Sequence, residues 1–213
     1  MAGATHAATP RHPQIDQRKQ CAKLCRVLAQ FSVAHLYVLE LTFDNPETGV
    51  FLDLAERLLH RQELGFFFVG RGSEARQLAS NAAARGLDNV LLKDKIHPDE
   101  IPSLYAQCHA GLVALDPRHK THNIPGKFLT YMQSGLPVLA SVNAGNDLAN
   151  LIRTEQVGQV SETNQIEELL LLTEKLLLQL NQDPDLPNRC RRLFQREYSV
   201  THTVQKIVAA LSA

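Results

Sequence analysis

The feature that most constrains this chain is a series of short apolar runs that alternate with segments of helical periodicity. Runs this short, bounded by turn residues, predict β-strands, and their nearly continuous apolar character predicts burial on both faces. Strands alternating with helices form βαβ units. The sequence therefore predicts an α/β fold: a Rossmann-like parallel sheet with helices on both faces. The predicted strands are Leu36–Leu41, Phe66–Val69, Asn89–Leu92, Gly111–Leu115, Leu136–Ser141 and Val157–Val160.

The chain divides into an N-terminal extension, residues 1–34, and one domain, residues 35–213. The extension starts with an Ala, Thr, His and Pro-rich stretch that predicts disorder, and Ile15–Phe31 has a helical pattern. One side of that helix is apolar (Cys21, Leu24, Cys25, Leu28) and the other basic (Arg18, Lys19, Lys23, Arg26). The domain ends in predicted helices at Gln165–Leu180, Leu186–Tyr198 and Val200–Leu211. The leucines of the first exceed one buried stripe, which favours contact with a second layer or another domain.

The composition excludes several function classes. The formal net charge is +0, so the balance of charge does not favour nucleic acid as a partner. No apolar run approaches the roughly 20 residues that span a bilayer, and no signal peptide is recognisable at the N-terminus. The four cysteines form no disulfide framework, which is typical of a reducing compartment. We therefore expect a cytoplasmic protein.

A glycine pair follows the second predicted strand. In the segment Gly70-Arg71-Gly72-Ser73, the glycines allow a tight turn, and the following helix offers N–H groups to an anion. No third glycine follows at the spacing of a dinucleotide-binding fingerprint. A plain turn and a ligand contact both stay open for this segment.

The segment around Pro125 indicates an anion site more strongly. Pro125 fixes φ where a helix begins, and Gly126 lets a ligand approach the backbone. The helix dipole favours a phosphate at its first turn, and Lys127 adds a positive charge there. Gly135 is expected to end the helix, before the strand that follows Pro137. The alternative is an ordinary helix start with an exposed lysine.

Two further groups of residues favour less specific interpretations. His119 and His122, with Asp116 nearby, lack a third fixed ligand, so we expect no metal site. Four arginines occupy the predicted helix Leu186–Tyr198, and a solvated face is the favoured interpretation, with peripheral membrane contact as the alternative. These are Arg189, Arg191, Arg192 and Arg196.

Several blocks in a fixed order resemble one enzyme family. They are Val69–Gly72, Gly86–Val90, Ile101–Tyr105, Ala110–Val113, Pro125–Leu129 and Tyr131–Val138. Together they resemble the C-terminal, donor-binding domain of GT-B glycosyltransferases of family 4, the retaining "group 1" enzymes. The resemblance covers the chain from about His35 to its C-terminus, with the Pro-Gly-Lys to Gly-Leu-Pro-Val block as its most specific part. It implies transfer of a sugar from a nucleotide-diphosphate sugar, without a metal or other cofactor, in surface polysaccharide or lipopolysaccharide biosynthesis.

The resemblance also implies roles for particular residues. Gly70 and Gly72 would line the donor cleft, and Gly126 with Lys127 would hold the diphosphate. His122 and Asn123 lie where the family approaches the donor sugar. Thr130 takes the place of the glutamate that commonly binds the ribose hydroxyls. The resemblance assigns no catalytic residue.

The chain also departs from the family pattern. The family has glutamates eight positions apart where this chain has His122 and Thr130, and no Arg or Lys lies between Glu40 and Gly49. About 34 residues precede the first predicted strand, whereas whole GT-B enzymes have a preceding acceptor-binding domain. We therefore expect the chain to need such a domain or subunit, at the inner face of the membrane. The alternative is a truncated, non-catalytic nucleotide-binding or interaction module.

Overall fold

The computed structural model describes residues 35–40, 49–70, 73–93, 96–115 and 124–211. Within them, six parallel strands form one sheet in the order β3-β2-β1-β4-β5-β6. The strands are β1 (His35–Glu40), β2 (Leu64–Val69), β3 (Val90–Lys93), β4 (Ala110–Ala114), β5 (Val138–Ser141) and β6 (Gly158–Ser161). The helices are α1 (Gly49–Arg57), α2 (Ser73–Ala84), α3 (Ile101–Tyr105), α4 (Gly126–Ser134), α5 (Asp147–Glu155), α6 (Ile166–Gln182), α7 (Leu186–Glu197) and α8 (Val200–Leu211). The predicted Rossmann-like fold is confirmed.

Two hydrophobic layers cover the two faces of the sheet. Successive strand side chains point to opposite faces, so Phe66 and Phe68 pack with α1, α2 and α6. Phe67 and Val69 pack on the other face, with α3, α4, α5 and α7. All six residues of β2 are buried, as expected for a strand with a layer of helices on each side.

One predicted helix was wrong in its form and its end. The pattern predicts a single helix over Pro98–Cys108, but the chain makes a 3₁₀ turn at Pro98–Glu100 before α3, which ends at Tyr105. The reason is Pro102, which has no N–H to donate to the carbonyl of Pro98. The Ile101 N–H bonds to that carbonyl instead, which closes the tighter turn.

The leucine-rich helix α6 is explained in part by the second layer. Leu169, Leu172, Leu176 and Leu177 are buried on the sheet, whereas Leu171 and Leu178 are exposed by 66% and 56%. Because the sheet already buries these four leucines, contact with another domain is not needed to explain them. The predicted division at residue 35 stays a prediction, and its extension, residues 1–34, lies outside the described part of the chain.

Candidate functional site

The order of the strands locates the edge at which a ligand would bind. β1 and β4 are neighbours, and the chain proceeds from them to opposite sides of the sheet. Such a switch point opens a crevice at the carboxyl ends of the strands, where ligands of open parallel sheets bind. The segments 41–48 and 116–123, which follow these two strands, lie outside the described residues. Helix α4 begins at Gly126, directly after the second of them.

The amino end of α4 has the properties of an anion site. Pro125 is its N-cap, with φ −64° and ψ 139°, and its side chain makes no cap hydrogen bond. The first turn contains no acidic residue. Gly126 is exposed, and a Cβ placed on it would meet nothing within 4 Å, so a ligand can approach the backbone. The Phe128 N–H bonds to the Pro125 carbonyl at 3.0 Å, while the amides before it have no acceptor within the helix.

Two side chains flank this helix start. Lys127 lies in the first turn, is half-buried and carries a positive charge. The Thr130 hydroxyl donates to the Gly126 carbonyl at 3.0 Å. Its proton is therefore already used, and Thr130 offers only oxygen lone pairs to a ligand.

The far side of α4 fixes this helix start against the sheet. Phe128, Tyr131 and Met132 are fully buried. A side chain on Gly111 of β4 would overlap the ring of Tyr131, so glycine allows the helix to lie close to the strand. The helix ends at Gly135, with φ 81°, as the sequence predicts. Because α4 is held this firmly, its amino end is positioned before any ligand arrives.

The loop after β5 lies at the same edge of the sheet, but side chains of the protein itself accept hydrogen bonds from its backbone N–H groups. The Gly145 N–H donates to Glu162 Oε1 at 2.7 Å, and Arg153 Nη1 lies 2.5 Å from Glu162 Oε2. Desolvation raises the pKa of Glu162, but these two contacts outweigh it and hold the pKa below its usual value. Asn146 is buried and caps α5 by accepting from the Leu148 N–H at 2.9 Å. Neither of these roles of Asn146 and Glu162 was predicted from the sequence; of the two residues, only Asn146, an asparagine directly before a helix, carries a local signal.

The structure places four of the predicted site residues. Gly70 directly follows β2 and is half-buried, and its N–H donates to the Lys93 carbonyl at 3.0 Å. It lies at the same edge as Gly126, Lys127 and Thr130. One strand, β1, separates β2 from β4, so these two strands are about 10 Å apart across the sheet. Gly72, His122 and Asn123 lie outside the described residues, so their grouping with the other four stays a prediction.

The other chemical groups in the described ranges favour structural roles. Cys108 and Cys190 are buried thiols, and burial raises the pKa of each to about 12, which makes them unreactive. The described residues contain no group of three or more His, Cys, Asp or Glu that could hold a metal. Asp116, His119 and His122 fall outside them. No helix within the described ranges is long and apolar enough to cross a membrane.

The arginines of α7 are engaged within the protein. Arg189 pairs with Asp183 at 2.5 Å and Arg192 with Asp185 at 2.6 Å. Arg196 Nη2 lies 2.7 Å from Glu155, and Arg191 donates to the Ser134 carbonyl at 3.1 Å. Peripheral membrane contact stays a prediction, but three of these four charges are balanced by carboxylates of the same chain.

Comparison with known proteins assigns the family. The family model described as "Glycosyl transferases group 1" matches residues 35–179. The chain belongs to the group 1 glycosyltransferases. The match starts at β1 and ends within α6, so it includes every described strand and the start of α4. No curated protein matches the chain.

Solved structures of glycosyltransferases share the fold. WaaG, a glycosyltransferase involved in lipopolysaccharide biosynthesis, aligns with a TM-score of 0.62 and 20% identity, covering 94% of this chain and 51% of its own. HepE of Anabaena, in complex with UDP and glucose, aligns with a TM-score of 0.68 and 17% identity, covering 92% and 52%. The chain therefore spans about half the length of these two glycosyltransferases.

One similar structure is itself a single domain. The C-terminal CMP-Kdo binding domain of WaaA from Acinetobacter baumannii aligns with a TM-score of 0.60 and 16% identity. The alignment covers 84% of this group 1 chain and 98% of that domain. At 16% identity, this similarity establishes only that the chain has the fold of a GT-B C-terminal domain. The ligand has to be inferred from the residues of the site.

Proposed function

We propose that this chain binds a nucleotide-diphosphate sugar at the amino end of α4 and supplies the donor site of a glycosyltransferase. The observation that carries the proposal is the uncapped helix start at the switch point of the sheet, in a group 1 glycosyltransferase. The named relatives act in lipopolysaccharide biosynthesis or hold UDP with glucose, which supports surface polysaccharide or lipopolysaccharide synthesis as the setting. We place this reaction in the cytoplasm, at the inner face of the membrane.

The mechanism proposed for the helix start is electrostatic. When the bond between the sugar and the diphosphate breaks, negative charge grows on the departing nucleotide. The amides at the start of α4 are fixed before that charge forms, and Lys127 would add a positive charge there, so both would stabilise the transition state more than the bound donor. Gly70 and Gly72 would leave room for the nucleotide, and His122 and Asn123 would contact the sugar. In this proposal the transfer retains the anomeric configuration and needs no metal.

An acceptor-binding domain or subunit completes the proposed enzyme. Sugar transfer needs the donor to be covered, because enclosure excludes water and orients the acceptor. The described edge of the sheet forms one wall of such a site. The coverage of about half of WaaG and HepE supports a second half of similar size, in the same polypeptide or in a partner.

A second candidate function is favoured by Thr130. A threonine carries no charge, so Thr130 cannot make the charge-assisted contacts of a glutamate with ribose, and its hydroxyl proton is already bonded to the Gly126 carbonyl. Weak ribose binding would suit a non-catalytic nucleotide-binding or interaction module that retains the fold. The non-catalytic module and the glycosyltransferase would bind the diphosphate at the same site, but only the glycosyltransferase would transfer the sugar.

The test is calorimetric titration of the full chain with UDP, GDP and ADP. Replacing Lys127 with Ala is expected to weaken binding of the preferred nucleotide by about 1.5–3 kcal/mol, or roughly ten- to 150-fold, because a charged contact with the diphosphate is lost. Lys175→Ala, an exposed lysine of α6 in the opposite layer, is the matched control and is expected to bind like the unmodified chain.

The same experiment separates the candidates. Equal affinities for the two lysine variants would contradict a phosphate site at α4. If Lys127→Ala weakens nucleotide binding, the full chain is next mixed with the nucleotide-diphosphate sugar and an acceptor-binding domain. The rate at which free nucleotide is released then measures turnover. Turnover supports the glycosyltransferase, whereas binding without turnover supports the non-catalytic module.

A further inference from the structure

Thr130 is the polar side chain one turn beyond the amino end of α4. It lies four residues after Gly126, so the two positions share a side of the helix and are separated by about 6 Å along its axis. The Thr130 hydroxyl is bonded to the Gly126 carbonyl at 3.0 Å, which holds it beside the first turn. A ribose joined through its 5′ oxygen to a phosphate at this helix start would therefore come within reach of Thr130.

The hydrogen bond to Gly126 limits what Thr130 can offer to a sugar. A hydroxyl has one proton, and here that proton is already donated, so only the lone pairs of Oγ1 are left. The other branch of the side chain is a methyl group, which accepts no hydrogen bond. A ribose has two neighbouring hydroxyls, at C2′ and C3′, whereas Thr130 presents a single oxygen. That oxygen suits one hydroxyl donor better than two.

No carboxylate of α4 supplements this oxygen. The helix has the sequence GKFLTYMQS, without Asp or Glu, so along its whole length it lacks the two-oxygen acceptor that would match both hydroxyls. Glu162, which contacts the loop after β5, is engaged by the Gly145 N–H and by Arg153. Thr130 is half-buried, so a hydroxyl placed against it loses part of its contact with water. A hydroxyl that loses water without gaining an acceptor weakens binding.

We propose that the donor is a 2′-deoxyribonucleoside diphosphate sugar and that Thr130 is the residue that selects it. This inference rests on the proposed function, because it requires a diphosphate at the start of α4. The 3′ hydroxyl of the deoxyribose donates to Thr130 Oγ1, and C2′ carries no second hydroxyl that needs an acceptor. A ribonucleotide fits the same site, but its 2′ hydroxyl loses water there without an equivalent partner, which lowers its affinity.

The test compares two nucleotides that differ only at C2′. The preferred nucleotide among UDP, GDP and ADP is titrated by calorimetry into the full chain, beside its 2′-deoxy analogue. The deoxy form is expected to bind about fivefold more tightly, because the unpaired 2′ hydroxyl is absent. Equal affinities, or tighter binding of the ribonucleotide, would overturn the inference.

Thr130→Glu tests whether Thr130 itself makes the selection. A carboxylate can accept from both hydroxyls of a ribose, so the preference for the deoxy form is expected to shrink by at least about threefold. Ser80→Glu adds the same charge at an exposed position of α2, in the opposite layer, and is the matched control. It is expected to keep the preference of the unmodified chain. A preference that is unchanged in Thr130→Glu would overturn the role of Thr130.

Lys127→Ala distinguishes failure of this inference from failure of the proposed function. The lysine is expected to contact the diphosphate, which both nucleotides share, so its loss should weaken both to the same extent. If both are weakened but the deoxy form is not preferred, the phosphate site stands and only the choice of sugar is overturned. If neither is weakened, or neither nucleotide binds the full chain, the proposed site at α4 fails and this inference fails with it.

Discussion

Helices α4 and α5 both start at the carboxyl edge of the sheet, yet their first turns differ. Asn146 caps α5, Asp147 adds a negative charge to its first turn, and Glu162 closes the loop before it. Helix α4 begins at Gly126; its N-cap Pro125 makes no side-chain cap bond, and its first turn has no acidic residue. A side-chain cap on the first-turn amides stabilises the fold, whereas a helix start whose N-cap residue makes no such bond can offer its amides to an anion. The four predictions below test this difference.

Transferring the cap of α5 to α4 should have the largest effect. Pro125 has the extended backbone that N-cap residues adopt, so Pro125→Asp fits without strain. Its carboxylate would occupy the first-turn amides and repel a diphosphate. We expect nucleotide affinity, measured by calorimetry, to fall by about a hundredfold, or about 2.7 kcal/mol. Pro125→Ala is the control, and equal affinity for the two variants would show that the helix start is not the binding site.

Removing the cap of α5 should change stability and leave binding intact. Asn146→Ala deletes the acceptor of the Leu148 N–H in a buried position. The free energy of unfolding in urea is expected to fall by about 1–2 kcal/mol. Nucleotide affinity is expected to stay the same under conditions where both proteins are folded. A loss of affinity as large as that of Lys127→Ala would mean that the two helix starts form one site.

Thr130→Glu restores the residue type that the family commonly has at this position. A carboxylate can accept from both ribose hydroxyls, so affinity is expected to rise by about 1 kcal/mol, roughly fivefold. Thr130→Gln, of the same length but uncharged, is expected to gain less. The gain is measured with the preferred nucleotide and with its 2′-deoxy analogue. An equal gain for both ligands would argue against a ribose contact at this position.

The smallest effect concerns the ion pair that closes the loop before α5. The pKa of Glu162 is lowered in the folded protein, so its contribution to stability is present above the unfolded value of about 4.3 and is lost as the pH falls below it. The melting temperature of Glu162→Gln should therefore lie below that of the unmodified chain at about pH 6 and approach it near pH 3. A difference that is constant with pH would point to packing instead of charge.

Much of the fold could be predicted from local patterns. The helix limits Ser73–Ala84 and Val200–Leu211 agree with the sequence, and the strand ends differ from the predicted ones by at most two residues. The helix over Pro98–Cys108 was wrong, because two prolines four residues apart interrupt the α-helical bonding. The family follows from the order of the motifs and is confirmed by the match over residues 35–179.

The site was predicted to a smaller extent. Gly126 and Lys127 were assigned to a helix start, and the structure has that start at Gly126. The bond from Thr130 to the Gly126 carbonyl could not be predicted, because a threonine at this position can also point into solvent. The roles of Gly70, Gly126, Lys127 and Thr130 in binding stay predictions, together with those of the site residues outside the described ranges.

Local patterns in the chain account for the alternation of strands and helices, the start of α4 and its end at Gly135, because periodicity and backbone preference act over a few neighbouring residues. The strand order, which brings β1 beside β4 and so creates the crevice, depends on packing across the whole sheet. The tertiary structure also decided that Glu162 closes the loop at Gly145 and that the α7 arginines pair with distant carboxylates. These contacts join residues far apart in the chain, and their free energy depends on how the whole domain packs.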